Sequence, residues 1–347
     1  MVNLVDYDDE IPDGLSIGPD GRSHPTWNAH VVPTSRLSCY RPGVQQQPEV
    51  VREMFTCEED NILVGADGEQ MEVRLLAAVA NVSKYREVFA KGGDIHAYTT
   101  EKLLGIRLDD VIEQYDRVFA DIVYGKRRLL AHEVPKELKA TWEKVLSGKI
   151  DQAQGVRDAA KAYFKRMRQI GKICCHSKSY GALDERTYSI VRWNPRVDAE
   201  IRNNISRRFI DTACANWRTE FHEIPTYQEA CFQFWQQHGY VETPFHHRKR
   251  FFANGHKDRN AMANHPIQSA AAEIVNEAMI ELYRLFGFDH VAKTGIVIQN
   301  HDAIYLEVRK SDAERVAKAL EKSMHRTFNG IEIFAKAKIG KSWAEVS

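Results

Sequence analysis

Apolar and polar positions change period several times along the chain, and each change predicts an element. Residues 61–67 form a short apolar run that ends on a carboxylate, the pattern of a buried strand. From 71 to 90, Met71, Leu75, Leu76, Val79 and Val82 recur at helical spacing and predict one helix. The stretch 107–148 is highly charged yet amphipathic. Val111, Ile112, Tyr115, Val118, Phe119 and Ile122 make one stripe, and Leu138, Trp142, Val145 and Leu146 another, which predicts two helices parted near Gly125 and Pro135. A third helix is predicted over 156–176 and closed by Tyr180-Gly181; 182–197 reads as irregular, and helical patterns resume at 198–219 and 226–238.

The strip 239–252 reads as a short hairpin or loop loaded with positive charge, and 269–286 as a helix with Asn264 and Gln268 ahead of it as candidate caps. Residues 294–308 alternate apolar and polar on both sides of His301-Asp302, which predicts a hairpin with a tight turn. Ser311 and Glu314 form a capping box opening the last helix, to about 328. Residues 1–33, rich in Pro, Gly and Asp, read as an extended lead-in.

Composition narrows the class. With 347 residues, 43% of them apolar and 28% charged, the chain is a soluble globular protein with room for several cores, which excludes wholesale disorder. No run approaches the ~18–20 apolar residues of a membrane helix. The acidic start, MVNLVDYDDE, lacks a secretion signal, so a cytoplasmic location is expected. Six cysteines without a CxxC spacing argue for reduced thiols and against a disulfide framework or zinc site. Lys and Arg balance Asp and Glu at 48 against 48, so any pull on nucleic acid must be local.

Two aspartates each end a strand, Asp67 and Asp302. Such residues more often serve turns. Side by side in one sheet they would instead make a hard oxygen site suited to Mg²⁺, where an ion pair can clamp a phosphoryl transfer; the spacing leaves their adjacency open. Lys161, Lys165, Arg168, Lys172, His176 and Tyr180 recur at spacings of 4, 3, 4, 4 and 4, hence along one helix face. Residues 161–180 hold six Lys or Arg and no acid. A solvated basic face is the ordinary explanation for such a stripe. Like charges four apart destabilise a helix, however, so cations gripping a polyphosphate beside a ring that stacks on a base explain the pattern better. A second knot, His246-His247-Arg248-Lys249-Arg250 among Phe245, Phe251 and Phe252, suits phosphates and bases or equally a plain soluble loop. Gln45, Gln46 and Gln47 carry no chemistry of their own.

In order along the chain, these features resemble the family A DNA polymerases, the bacterial DNA polymerase I group, from about Gly21 to the C-terminus. Thr34-Ser-Arg36-Leu-Ser38 through Gln45-Gln46-Gln47-Pro48 resembles the segment TGRLSSxxPNLQNIP. Ala66-Asp67-Gly68-Glu69-Gln70-Met71-Glu72-Val73-Arg74 resembles motif A, usually DYSQIELR, and Arg168-x3-Lys172-x7-Tyr180-Gly181 keeps the motif B spacing. Tyr240-Val-Glu-Thr243 with Arg248-Lys-Arg250 is similar to YVETxxGRRR, Asn264-His-Pro266-Ile-Gln268 to NxPxQG, and Gln299-Asn-His301-Asp302 to motif C, QVHDE. Each is weak singly; six in the right order are not.

The resemblance implies an α+β fold, a palm of antiparallel sheet with flanking helices plus helical fingers. Its domains would be a lead-in at 1–33, palm at 34–90, fingers at 91–240 with a helical insertion at about 107–157, and palm again at 241–347. It implies template-directed addition of deoxynucleotides to a primer 3′-hydroxyl, with Asp67, Asp302 and the Gly68 carbonyl on two Mg²⁺ ions and Mn²⁺ as a substitute. His96, Arg168 and Lys172 would hold the triphosphate, with Lys172 protonating the leaving group. Gln70 would contact the nucleotide, Glu72 would crowd a ribose 2′-hydroxyl, and His176 and Tyr180 would line the nascent base pair. Arg36, Gln268 and His301 would read the primer terminus, Gln45 and Gln46 the minor groove, and Arg248 and Arg250 the backbone.

There are departures. Ala303 stands where the family has an acid. His176 replaces Phe or Tyr, with Cys175 and Ser177 beside it, and Gly68-Glu69 replaces Tyr-Ser. The 168 − 96 = 72 residues between His96 and Arg168 exceed the family spacing. No room for a thumb or exonuclease is expected, hence a second polypeptide supplying one, or a processivity factor, as in a phage system. Primer-template DNA and dNTPs are the other partners; a membrane is not. A single-subunit RNA polymerase shares the palm and motif B spacing and often begins motif A with Asp-Gly; Glu72 and 240–243 favour the DNA enzyme. A non-catalytic DNA-binding scaffold is the reading of a different class, prompted by Ala303.

Overall fold

The computed structural model describes residues 17–123, 134–252, 258–287, 289 and 291–347. The chain divides into two compact units, one built from Met1–Asn81 with Cys231–Ser347, the other from Val82–Ala230. These divisions fall about ten residues before the expected boundaries at 90 and 240. At the first, the pattern over 71–90 is two helices, Met71–Val79 and Ser83–Ala90, broken where Asn81 takes a left-handed φ of 51°; the second falls within the helix Glu223–His238.

The first unit is organised by a four-stranded antiparallel sheet in the order Ala335–Gly340, Asn61–Gly68, Ala303–Arg309, Gly295–Asn300. Its strand Ala303–Arg309 is buried as far as Val308 because both faces are covered. The helices Arg259–Phe286 and Ala313–Met324 pack against the sheet, and Leu63, Ala303, Tyr305, Trp343 and Val346 form a separate cluster with Phe55, Cys57, Val297 and Ile298. A Cβ at Gly65 would run into the Tyr305 ring, so that ring can cross the strand only over glycine. Buried Glu307 is satisfied by Arg22, by the Asn61 amide at 3.0 Å and by the Glu58 N–H at 2.9 Å.

Several sequence expectations need correction in this unit. The helix expected from 269 starts at Arg259, because Pro266 is accommodated inside it, buried against the core. Asn264 and Gln268 are therefore mid-helix residues and not caps. The Ser311–Glu314 capping box does not form; Asp312 takes the N-cap position without a side-chain bond, and the helix stops at Met324. Residues 326–328 are instead a strand paired with Ile331–Ile333 through Asn329-Gly330, both at positive φ, as a two-residue hairpin turn demands.

The second unit is helical. Its longest element, Gln152–Ser179, is capped by the Asp151 carboxylate on the Gln154 N–H and ends at Tyr180, with Gly181 left-handed at φ 76°. Helix Ile95–Leu104 lies so close to it that a Cβ on Gly171 would come within 3.0 Å of the Thr100 Cα. The charged region contains Leu108–Val123 and Lys136–Leu146, as two helices were expected, with Gly125 outside the described residues. They close their own core of Val111, Tyr115, Phe119, Leu138, Val156, Ala159 and Ala160 at the start of the long helix.

Where 182–197 read as irregular, a helix runs Asp184–Trp193, burying Thr187 and Val191 four apart. The pattern at 198–219 is two helices, Ala199–Asn204 and Arg207–Glu220, the second capped by Ser206. All six cysteines are free thiols. Among the described residues no helix is long and apolar enough to cross a membrane.

Candidate active site

In the sheet unit the hairpin between Gly295–Asn300 and Ala303–Arg309 turns at His301-Asp302, with His301 exposed and left-handed at φ 55°. The Gly68 N–H donates to the Asp302 carbonyl at 3.1 Å, and Asp67 pairs with Ala303 across the sheet. The two strand-end aspartates are thus neighbours, which their spacing in the chain left open. Glu72, in the first turn of Met71–Val79, joins them through Arg36, which bonds the Glu72 carboxylate and reaches Asp302 Oδ1 at 3.4 Å.

Burial, reinforced by the Glu72 and Asp67 carboxylates and opposed by Arg36, pushes the Asp302 acid up to about 7. Carboxylates that strain against one another are the donor set a hard dication relieves. Among the described residues no three His, Cys, Asp or Glu side chains converge on one point. The side chains themselves offer a cation two carboxylates, Asp67 and Asp302, with the rest of any shell left to water and substrate. That is how magnesium is commonly held.

The surrounding residues divide. Gln70 takes a left-handed φ of 54° at the helix start, and its Oε1 is buried without a hydrogen-bond partner among the described residues. Gln45 is buried and its amide is engaged, donating to the Leu37 carbonyl at 3.2 Å and the Gln299 carbonyl at 3.1 Å, so it braces the hairpin strand; Gln46 is exposed. Gln268 is half-buried on Arg259–Phe286. Arg248 and Arg250 are exposed on the short strand Arg248–Arg250, but Arg248 bonds Glu242 at 2.5 Å and lies 4.8 Å over the Tyr240 ring, and His246 bonds Glu242 at 2.7 Å. The knot's charge is partly cancelled.

In the helical unit the stripe forms as its spacing requires. Lys161, Lys165, Lys172 and His176 are exposed and Arg168 and Tyr180 half-exposed, while Met167, Ile170, Cys174 and Cys175 are buried. The two cations off the stripe are tied down, Arg166 to Asp198 at 2.9 Å and to Glu137, Lys178 to Asp184 at 2.8 Å. His176 meets Tyr180 edge to face at 4.5 Å.

Asp94 caps helix Ile95–Leu104 by accepting from the His96 N–H at 2.7 Å, and its other oxygen accepts from Arg168 Nε at 3.0 Å. Burial would raise that acid, but Arg168 outweighs it and holds the carboxyl below its usual range. Burial first, then Lys172 and Arg168, pushes the His96 imidazole down to about 4, so it is neutral at pH 7; its Nδ1 is buried without a partner among the described residues. Asp94 escaped the sequence reading as a partner of Arg168, although it had a readable signal as an N-cap acid.

A profile of DNA polymerase family A matches residues 5–129 and 150–345. Among relatives, DNA polymerase I of Chloroflexus aurantiacus is 25% identical over 98% of this chain and 31% of its own length. DNA polymerase I of Streptococcus pneumoniae is 24% identical over 94% and 32%, and DNA polymerase I A, chloroplastic/mitochondrial, of Arabidopsis thaliana 26% over 94% and 29%. The chain thus spans about a third of the length of these curated relatives. Among solved structures, the POL domain of Pol1 from M. smegmatis, in complex with DNA primer-template and dNTP, superposes with a TM-score of 0.68 at 19% identity, over 95% of this chain and 50% of that one.

Proposed function

The chain belongs to DNA polymerase family A, and from that premise we propose that it is a template-directed DNA polymerase, its sheet unit the palm and its helical unit the fingers. The observation that carries the proposal is the meeting of Asp67 and Asp302 at neighbouring strand ends with Glu72 and Arg36 beside them. Asp67, Asp302 and the Gly68 carbonyl would hold two Mg²⁺ ions, which when bound supply charge neutralisation to the attacking and leaving oxygens of an in-line displacement. Arg168 and Lys172 would bind the triphosphate oxygens of a dNTP, and Lys172 would give the leaving pyrophosphate its proton. Neutral His96 would donate a hydrogen bond to phosphate at no cost in proton uptake.

Glu72, held by Arg36, would stand where a ribose 2′-hydroxyl must come. Tyr180 and His176, already in ring contact, would face the base pair. Arg36, Gln268 and His301 would read the primer terminus, with Gln46, Arg248 and Arg250 on primer-template DNA. Because cations and acids balance over the whole chain, general hold on a duplex is weak, and a second polypeptide that grips DNA or edits it belongs to the proposal. Six free thiols suit the reducing cytoplasm of a bacterial or phage-infected cell.

Primer extension by the purified chain, with Mg²⁺ and each of dNTP and rNTP, tests the proposal. Incorporation of deoxynucleotides abolished by Asp67→Asn or Asp302→Asn is expected. Preference for ribonucleotides would favour an RNA polymerase, the reading that Gly68 after Asp67 supports. Lack of extension with either substrate, with or without host-cell extract, would leave a DNA-binding scaffold.

A further inference from the structure

Register places three residues in one row across the sheet: Asp67 pairs with Ala303, and Ala303 pairs with Asn300. Directly paired residues of antiparallel strands point to the same face. Asp67 and Asn300 therefore share a face, separated by the methyl group of Ala303. Two strand spacings of roughly 4.8 Å put their backbones about 10 Å apart. Side chains on one face stand roughly perpendicular to the sheet, so across that separation the two polar groups can be joined only through water.

Asn300 is 8% exposed, and its Oδ1 has no hydrogen-bond partner among the described residues. A buried carbonyl oxygen left unmet is costly, so it calls for a partner that the described residues do not supply, such as water. At position 303, between the two, an acid would have put a second charge next to Asp67; this chain has a methyl there and an amide one strand further on.

We infer that Asn300 is a positioning residue for the cation site, its amide oxygen accepting a hydrogen bond from water that belongs to the cation held by Asp67, across Ala303. A neutral oxygen in this place orients the water without adding a third negative charge to a carboxylate pair already in mutual repulsion. The inference rests on the proposed polymerase reading of Asp67 and Asp302 and goes beyond it, since that reading gives Asn300 no role.

Mn²⁺ binding to the full chain, without DNA or nucleotide, tests it, with the free aqua ion counted by electron paramagnetic resonance. Asn300→Ala is expected to weaken Mn²⁺ binding about tenfold, the usual cost of losing an outer partner. Ala303→Glu added to that variant is expected to restore it, and Asn300→Asp, nearly isosteric, to bind more tightly than the parent. If the alanine variant does not fold by circular dichroism, the aspartate variant decides: an unchanged affinity overturns the inference. Weaker primer binding with unaltered Mn²⁺ affinity in Asn300→Ala overturns it too, since the residue would then read DNA. Asp67→Asn separates the two levels. If it leaves Mn²⁺ binding intact, or if the parent chain binds none, the metal-site reading falls and this inference with it; if it abolishes binding while Asn300 variants change nothing, the inference alone fails.

Discussion

The two charged sites are mirror images in sign. In the sheet unit the guanidinium of Arg36 bonds the Glu72 carboxylate and reaches Asp302, and Asp67 adds its negative charge beside Asp302. In the helical unit a stripe of Lys161, Lys165, Arg168 and Lys172 meets the carboxylate of Asp94. Each site keeps an excess of one charge together with a counter-charge that bonds part of it. A fully neutralised cluster would be stable and inert, and an unopposed one would repel itself apart. One counter-ion each lets the sites persist while leaving capacity for ligands of opposite sign.

The largest effect should come from removing the counter-ion on the acidic side. Arg36 is part-buried between Glu72 and Asp302, each 20% exposed or less at the side chain. Taking one partner from such a set leaves charge uncompensated, which costs on the order of 3 kcal/mol. Arg36→Ala should lower the urea midpoint accordingly, and millimolar Mg²⁺ should recover part of the loss. A midpoint that does not move would mean the carboxylates repel far less than their burial implies.

On the basic side the next effect is a pH dependence. His96 is held near 4 by burial and by Lys172 and Arg168, against an unfolded value near 6.5. The folded state therefore takes up the proton less readily than the unfolded chain. Stability from this group is full above pH 6.5 and declines as pH falls toward 4, with a slope of up to about 1.4 kcal/mol per pH unit. Thermal melts of the parent and His96→Asn between pH 4.5 and 7 should differ in that slope. Parallel profiles would remove the imidazole as their cause.

How far the sequence reached follows the same physics. The stripe on Gln152–Ser179 and the hairpin at His301-Asp302 were legible because each is a local period carried by neighbouring residues. The meeting of Asp67 with Asp302 was not, since it depends on pairing between strands more than two hundred residues apart. Helix Asp184–Trp193 was hidden because Gly181 and Pro195 frame it like a loop, whereas two buried positions, Thr187 and Val191, suffice to fix it. Asn81 breaks a helix without Gly or Pro to announce it, and Pro266 announces a break that packing overrides. Asn329-Gly330 was a readable turn that the neighbouring helical pattern absorbed.

The smallest effect concerns the counter-ion of the basic site and separates its two jobs. Asp94 caps helix Ile95–Leu104 through one oxygen and holds Arg168 through the other. Asparagine caps a helix about as well as aspartate, whereas alanine does not, at a cost of about 1 kcal/mol. The pair with Arg168 is 42% and 34% exposed at the side chains and so contributes at most a few tenths of that through solvent screening. Asp94→Ala should therefore lose about 1 kcal/mol in urea denaturation and Asp94→Asn little. Both should release Arg168 and tighten binding of inorganic triphosphate, because the stripe's counter-charge is gone in each. Equal destabilisation of the two variants would show that the ion pair, and not the cap, anchors this corner of the helical unit. An unchanged triphosphate affinity would show that Arg168 is not restrained by Asp94 when an anion arrives.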